Sequence, residues 1–290
     1  MEFLQVLYQE KFLVHEAFVK KLNLRNYMNL IDYEKNGFYF PLKVISENNS
    51  LKICNQLENL VNESDININK IYRNPNYLIP DIYNITISKK IINCVENLIG
   101  ENIYVLEAVL FVKEPYTDDF ISWHQDLTYW GFDSDRVVTA WVSLNGSNQE
   151  NGCMRFIIGS HNEGIVDHKE TYDKNNMLSR GQVIKDKIDE SKSIIVKLNP
   201  GEMSLHHGKL FHSSERNKSK NKRVGLAIRY ISSDMKHQSG SKFYSHHISG
   251  GKNTDNFIST PPPKKNISID DLKIVDLKEN VTKMIYDKNI

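Results

Sequence analysis

The chain has 290 residues, and 37 Lys and Arg balance 36 Asp and Glu to a formal charge of +1. That balance provides no global field to attract nucleic acid or an anionic membrane, so neither is expected as the main partner. The length allows a large buried core, and one elaborate domain over 1–290 is expected, with a small molecule as its partner.

From the amino terminus, "MEFLQVLYQEKFLVHEAFVKKLNL" interrupts every apolar run with a charge within a few residues, unlike an export signal. No later segment approaches the eighteen or so uncharged apolar residues of a membrane span. Cys54, Cys94 and Cys153 are odd in number and far apart, which fits unpaired thiols in a reducing compartment. A cytoplasmic protein is expected.

Residues 1–100 read as mainly helical. "HEAFVKKLNLRNYMNLIDYEKNG" has helical apolar spacing and stops at Gly37, "SENNSLKICNQLENLVNE" opens on a capping Ser46, and "ISKKIINCVENLIG" ends at Gly100. From Asn102 the texture changes to short β-rich runs: "IYVLEAVLFVKE", "FISWHQD", "VVTAWVSLNG", "CMRFIIGS", "SIIVKLN", "EMSLHHG" and "RVGLAIRYIS". Such runs, separated by Gly, Asn, Asp and Pro, predict a mainly β sandwich or barrel over 101–235 with flanking helices. The polar stretch 162–190 is long for a plain loop and is expected to be an insertion covering a pocket. Residues 236–290 form an extension, irregular around "STPPPKKN", with "DDLKIVDLKENVTKMIYD" able to add a terminal helix. "SGSKF" and "SGGKN" lack the spacing of a phosphate-binding loop and are assigned to turns.

The chemistry concentrates in "WHQDLTYW". On an extended strand His124 and Asp126 project to one face and Gln125 to the other. An imidazole and a carboxylate, joined by a distant histidine, make the two-histidine, one-carboxylate face that holds ferrous iron and leaves positions open. "GEMSLHHGKLFHSSERN" offers His206, His207 and His212 for the third ligand; the first two are adjacent on a strand, so at most one faces the iron. Arg223 and Arg229 follow, and an arginine fork suits a dicarboxylate co-substrate. The same His and Asp pair could instead hold zinc or manganese structurally, or serve a hydrolase-like or isomerase-like reaction. A structural site, however, has no need of a dicarboxylate anchor.

These segments, in this order, resemble the phytanoyl-CoA dioxygenase family of iron(II)- and 2-oxoglutarate-dependent oxygenases. The likeness runs from "NGFYFPLKVIS" and "VENLIGENIYVLEAVLFVKEP" through "SWHQDLTYWGF" and "VVTAWVSLNGSNQENGCMRFIIGSH" to "LNPGEMSLHHGKLFHSSERNKSKNKRVGLAIRYI". Only 162–190 and the end of the chain match poorly. The resemblance implies a double-stranded β-helix of jelly-roll, cupin-like type. It implies Fe(II) on His124, Asp126 and His212, and 2-oxoglutarate anchored by Arg223 with Ser214 assisting and Trp141 as an aromatic wall. It also places Arg229 near the iron. Dioxygen would be consumed, 2-oxoglutarate would leave as succinate and carbon dioxide, and a C–H bond would be hydroxylated. "WHQDLTYWGF" and "GLAIRYI" are similar as well to non-haem iron halogenases, in which alanine or glycine replaces the carboxylate ligand; Asp126 departs from that pattern and favours hydroxylation or desaturation. A carrier-bound substrate, a carrier protein and a homo-oligomer stay open.

Plainer roles belong to the neighbours. His161 fits a structural hydrogen bond at a strand end, and "RNKSKNKR" fits a solvated loop better than a nucleic-acid patch because it lacks interleaved aromatics. Trp123, Tyr129, Trp130 and Phe132 are packing aromatics, one of which is expected to line the substrate pocket and keep it dry.

Overall fold

In the computed structural model, which describes residues 28–251 and 254–287, helices come first and strands follow. The helices are α1 (Leu30–Asn36), α2 (Glu47–Glu63), α3 (Ile68–Arg73), α4 (Pro75–Leu78), α5 (Pro80–Thr86) and α6 (Lys89–Ile99). The helix expected over 15–37 ends at Gly37 as its left-handed cap; its residues before 28 lie outside the described residues. Ser46 caps α2 by accepting from the Asn49 amide, and α6 stops at Gly100.

The strands are β1 (Phe38–Lys43), β2 (Ile103–Lys113), β3 (Ile121–His124), β4 (Val137–Ser143), β5 (Met154–Ile157), β6 (His168–Glu170) and β7 (Gln182–Ile184). They continue as β8 (Ser193–Val196), β9 (Glu202–His207), β10 (His212–Ser214), β11 (Arg223–Ser232), β12 (Phe243–Ser249) and β13 (Phe257–Ser259). A seven-stranded sheet has the order β1-β9-β4-β11-β2-β12-β13, and a four-stranded sheet the order β3-β10-β5-β8. The two meet through a shared cluster that includes Phe38, Trp141 and Ala227 of the large sheet and Met154, Phe156 and Val196 of the small one. This is the mainly β core with flanking helices that the sequence texture predicts.

The large sheet reaches beyond 101–235. It takes β1 from the helical part, where "FYF" pairs antiparallel with β9, and β12 and β13 from the extension. β1 escapes a periodicity reading because it is short and sits between two helices. α7 (Ile269–Asp287) forms where the terminal helix is expected. No helix among the described residues is long and apolar enough to cross a membrane.

β11 is buried along its whole length, and its two faces differ. Val224, Leu226, Ile228 and Tyr230 point into the apolar cluster beneath the helices, and the Tyr230 hydroxyl donates to the Thr86 carbonyl of α5. Arg223, Gly225, Ala227 and Arg229 have the opposite parity and face the small sheet. Two cations separated by two small residues leave space between the sheets instead of filling it. Lys113, Phe111 and Glu107 of β2 stand opposite Arg223, Gly225 and Arg229.

Residues 162–190 pack as a hairpin of β6 and β7 beside β3. Gln125 ties them down. Its side-chain amide donates to the carbonyls of Gly164 (2.6 Å) and Lys209 (2.7 Å) and accepts from the Val166 amide (2.9 Å), while its own amide donates to His168 Nε2 (3.1 Å). The residue between the expected ligands therefore fastens the metal strand, the turn before His212 and the hairpin to one another.

Gly225 permits a close approach: a Cβ there would lie 1.9 Å from Trp141 Cζ2. Gly225→Ala is expected to displace the indole and cost about 1–3 kcal/mol, as overpacking usually does. Urea unfolding with tryptophan fluorescence measures both effects; unchanged stability and emission would show that the indole does not depend on this contact.

Candidate metal centre

His124 ends β3, and Asp126 opens the 3-10 turn Asp126–Tyr129. The expectation that both stand on one strand needs correction: the strand stops at His124, and extended backbone at Gln125 (φ −118°, ψ 133°) alone carries the two-residue alternation forward. β10 runs antiparallel to β3 with His212 directly opposite His124. One ligand atom from each of His124, Asp126 and His212 lies within 4.8 Å of the others, and all three residues are buried. Among the described residues no other group of three or more His, Cys, Asp or Glu is so arranged.

The histidine tautomers are set by the backbone. His124 Nδ1 lies 2.9 Å from the Ser122 carbonyl and His212 Nδ1 lies 2.9 Å from the Leu210 carbonyl. A carbonyl only accepts, so Nδ1 carries the proton and Nε2 presents a lone pair, the arrangement found in metal-ligating histidines. Burial, with His124 and His206 nearby, holds His212 well below the usual histidine range and thus neutral. Two imidazoles turned with Nδ1 to the backbone, and one carboxylate, fit a divalent transition metal.

Burial alone would raise the Asp126 pKa, but Arg229 and the surrounding histidines hold it well below the usual carboxylate range. Arg229 Nη2 donates to Asp126 Oδ1 at 3.1 Å and Nη1 to Glu107 Oε1 at 2.8 Å, while its guanidinium lies 5.3 Å from the centre of the Trp130 ring. Thr139 donates to Asp126 Oδ2 at 2.8 Å. Arg229 thus orients the carboxylate from the side of the large sheet.

In the same cavity Arg223 is buried, and Trp141 lies beneath its guanidinium at 5.3 Å. Nη1 donates to the Gly152 carbonyl, and Nε has no hydrogen-bond partner among the described residues. Gly152 is fixed by contact: a Cβ there would stand 2.2 Å from the Glu215 carbonyl oxygen. Ser214 also lines the cavity, and its hydroxyl accepts from Lys113 Nζ at 2.7 Å. Lys113 escapes a sequence reading; its parity with Phe111 and Glu107 on β2 was the available signal. Burial and the neighbouring Arg223 push its ammonium down to about 6, opposed by Glu215 and Asp119. Buried Lys113, opposite Arg223 in the strand register, therefore holds Ser214 in place.

The remaining histidines separate. His206 turns inward to the cavity, whereas His207 faces Asp135 and His161 bonds the Glu34 carbonyl with Nε2. Trp123, Trp130 and Phe132 do not line this cavity; among the described residues its aromatic members are Phe111 and Trp141 besides the histidines. Trp123 packs against Arg155, and Phe132 joins a cluster with Phe243 and Phe257. The basic loop pairs locally, Arg216 with Asp118 and Lys222 with Glu58 and Glu114.

The family model of phytanoyl-CoA dioxygenase (PhyH) matches residues 47–225. The probable alpha-ketoglutarate-dependent hypophosphite dioxygenase of Stutzerimonas stutzeri is 28% identical over 163 residues, 56% of this chain and 56% of that protein. Phytanoyl-CoA dioxygenase domain-containing protein 1 of Danio rerio is 31% identical over 141 residues, 47% of each. The chain thus spans about half the length of these curated relatives. Among solved structures, the non-heme monooxygenase ThoJ in its apo form superposes with a TM-score of 0.79 at 22% identity, covering 89% of this chain and 97% of that one. CytC3 with Fe(II) and alpha-ketoglutarate gives 0.64 at 17%, covering 84% and 96%. At these identities the structural likeness shows the fold.

Asp126→Ala would remove one of the two carboxylates paired with buried Arg229. It is expected to abolish binding of divalent metal and to cost about 3–5 kcal/mol, the usual effect of breaking a buried pair. Metal titration and urea unfolding check the two parts; a variant that bound metal like wild type would remove Asp126 from the ligand set.

Proposed function

The chain belongs to the phytanoyl-CoA dioxygenase family, and on that premise we propose that it is an iron(II)- and 2-oxoglutarate-dependent oxygenase that hydroxylates a C–H bond of a small organic molecule. Nε2 of His124, Nε2 of His212 and the Asp126 carboxylate would hold Fe(II). The bound metal would supply the activation of dioxygen, coupled to conversion of 2-oxoglutarate to succinate and carbon dioxide.

One observation carries this reading: a cavity lined by a two-histidine, one-carboxylate cluster is also lined by buried Arg223 and by Ser214. A metal alone needs no cation there; a co-substrate with a second carboxylate does. Arg223 is the anchor, since its guanidinium offers a fork to both oxygens and its burial strengthens the pairing. Ser214, whose oxygen accepts from Lys113, keeps its hydroxyl hydrogen as a donor beside it. Trp141, pressed on Gly225 and lying under Arg223, keeps the guanidinium from turning away and excludes water from the anchor.

A filled carboxylate position at Asp126 favours oxygen insertion over halogenation. A relative named as a probable hypophosphite dioxygenase and relatives named phytanoyl-CoA dioxygenase resemble this chain alike, and their substrates differ. The proposal therefore extends to a small molecule and no further.

With Fe(II) and a reductant the protein is expected to release succinate from 2-oxoglutarate even without substrate, measured by mass spectrometry. Arg223→Lys keeps the charge and loses the fork, and the KM for 2-oxoglutarate should rise about 10–100-fold, the equivalent of about 1.5–3 kcal/mol for a charged hydrogen bond. No succinate from metal-loaded protein, or an unchanged KM in Arg223→Lys, would overturn the assignment.

A further inference from the structure

A transverse row of side chains crosses the inward face of the large sheet. Strand register places Phe38 opposite His206, His206 opposite Thr139, Thr139 opposite Arg229 and Arg229 opposite Glu107. Thr139 and Arg229, from adjacent strands, each donate to the Asp126 carboxylate. His206 is the next member of the row, and its Nε2 stands 3.7 Å from Asp126 Oδ2. It is 1% exposed, and neither ring nitrogen has a hydrogen-bond partner among the described residues. Buried polar atoms in native proteins are rarely left so.

A carboxylate offers about four acceptor positions on its two oxygens. At Asp126, Oδ1 accepts from Arg229 and also faces His124 Nε2 at 3.8 Å, so its second position is available to a metal. Oδ2 accepts from Thr139 and has one position left, on the side where His206 stands. The rings of Phe156 and His212, with centroids 5.2 Å and 4.7 Å from that of His206, confine it to this place.

We propose that His206 is a positioning residue for the metal ligand Asp126, donating Nε2–H to Oδ2 and so presenting Oδ1 to the metal. The assignment rests on the metal-centre reading and adds to it a third strand of the large sheet, β9, as a support of the carboxylate. Partners of this kind, hydrogen-bonded to a ligand without touching the metal, typically change metal affinity about 10–100-fold when removed.

The test is calorimetric titration with Co(II), followed also by the visible Co(II) spectrum, on wild type, His206→Gln, His206→Asn and His206→Phe. Glutamine carries an amide nitrogen about as far out as imidazole Nε2; asparagine ends near the position of Nδ1. His206→Phe should bind Co(II) about 10–100-fold more weakly with an altered spectrum. His206→Gln should recover most of the affinity and the wild-type spectrum, and His206→Asn should recover neither. The Gln and Asn variants are both polar and similar in size, so their comparison decides the matter even if His206→Phe fails to fold. Wild-type affinity in His206→Phe, or equal recovery by Asn and Gln, overturns the role of His206 and leaves the metal centre standing. No Co(II) binding by wild type overturns the metal centre, and this inference with it.

Discussion

The site depends on keeping one carboxylate ionised where water does not reach. Asp126 is buried, and an isolated charge there would be unstable by several kcal/mol. Arg229 resolves this by pairing with Asp126 on one side and Glu107 on the other, so that a cation shared between two anions sits in the wall of the large sheet. Thr139 then settles which way the carboxylate turns. Because Arg229, Thr139 and Glu107 come from three neighbouring strands, the carboxylate cannot move without disturbing the sheet register. The orientation is built into the fold before any metal arrives.

The inward face of β11 shows how the same sheet makes room for chemistry. Its outward residues are large and apolar and hold the helices; its inward residues are two arginines separated by Gly225 and Ala227. Small residues at that place let Trp141 lie flat against the strand and under Arg223. Burial strips Arg223 of hydration and pushes its guanidinium down to about 10. A dicarboxylate co-substrate would offset that loss of hydration on binding.

Much of this was legible in the chain itself. The strand texture of "RVGLAIRYIS" predicts the central strand; "WHQD" offers His124 and Asp126, the family resemblance singles out His212 from three later histidines, and the fold brings the three within a few ångströms. What escaped did so for local reasons. Strand β1 is six residues between helices, too short for its period to stand out. Lys113 ends an apolar strand, where a lysine usually turns to solvent, and only the pairing with Arg223 reveals its inward face. Past the 3-10 turn at Asp126, Trp130 lies against Arg229 and Phe132 packs on Phe243, while Phe111 and Trp141, from distant strands, line the cavity. Register between distant strands is set by the whole sheet, and no single segment contains it.

The central claim is that one cavity holds a metal on His124, Asp126 and His212 and a dicarboxylate on Arg223. Anaerobic titration of the Fe(II)-loaded protein with 2-oxoglutarate tests it most directly, by watching for the weak visible charge-transfer band of a 2-oxo acid chelated to ferrous iron. The account predicts a saturable band in wild type that requires much more 2-oxoglutarate in Arg223→Ala. Iron bound with no band at any concentration, or a band indifferent to Arg223, would contradict it.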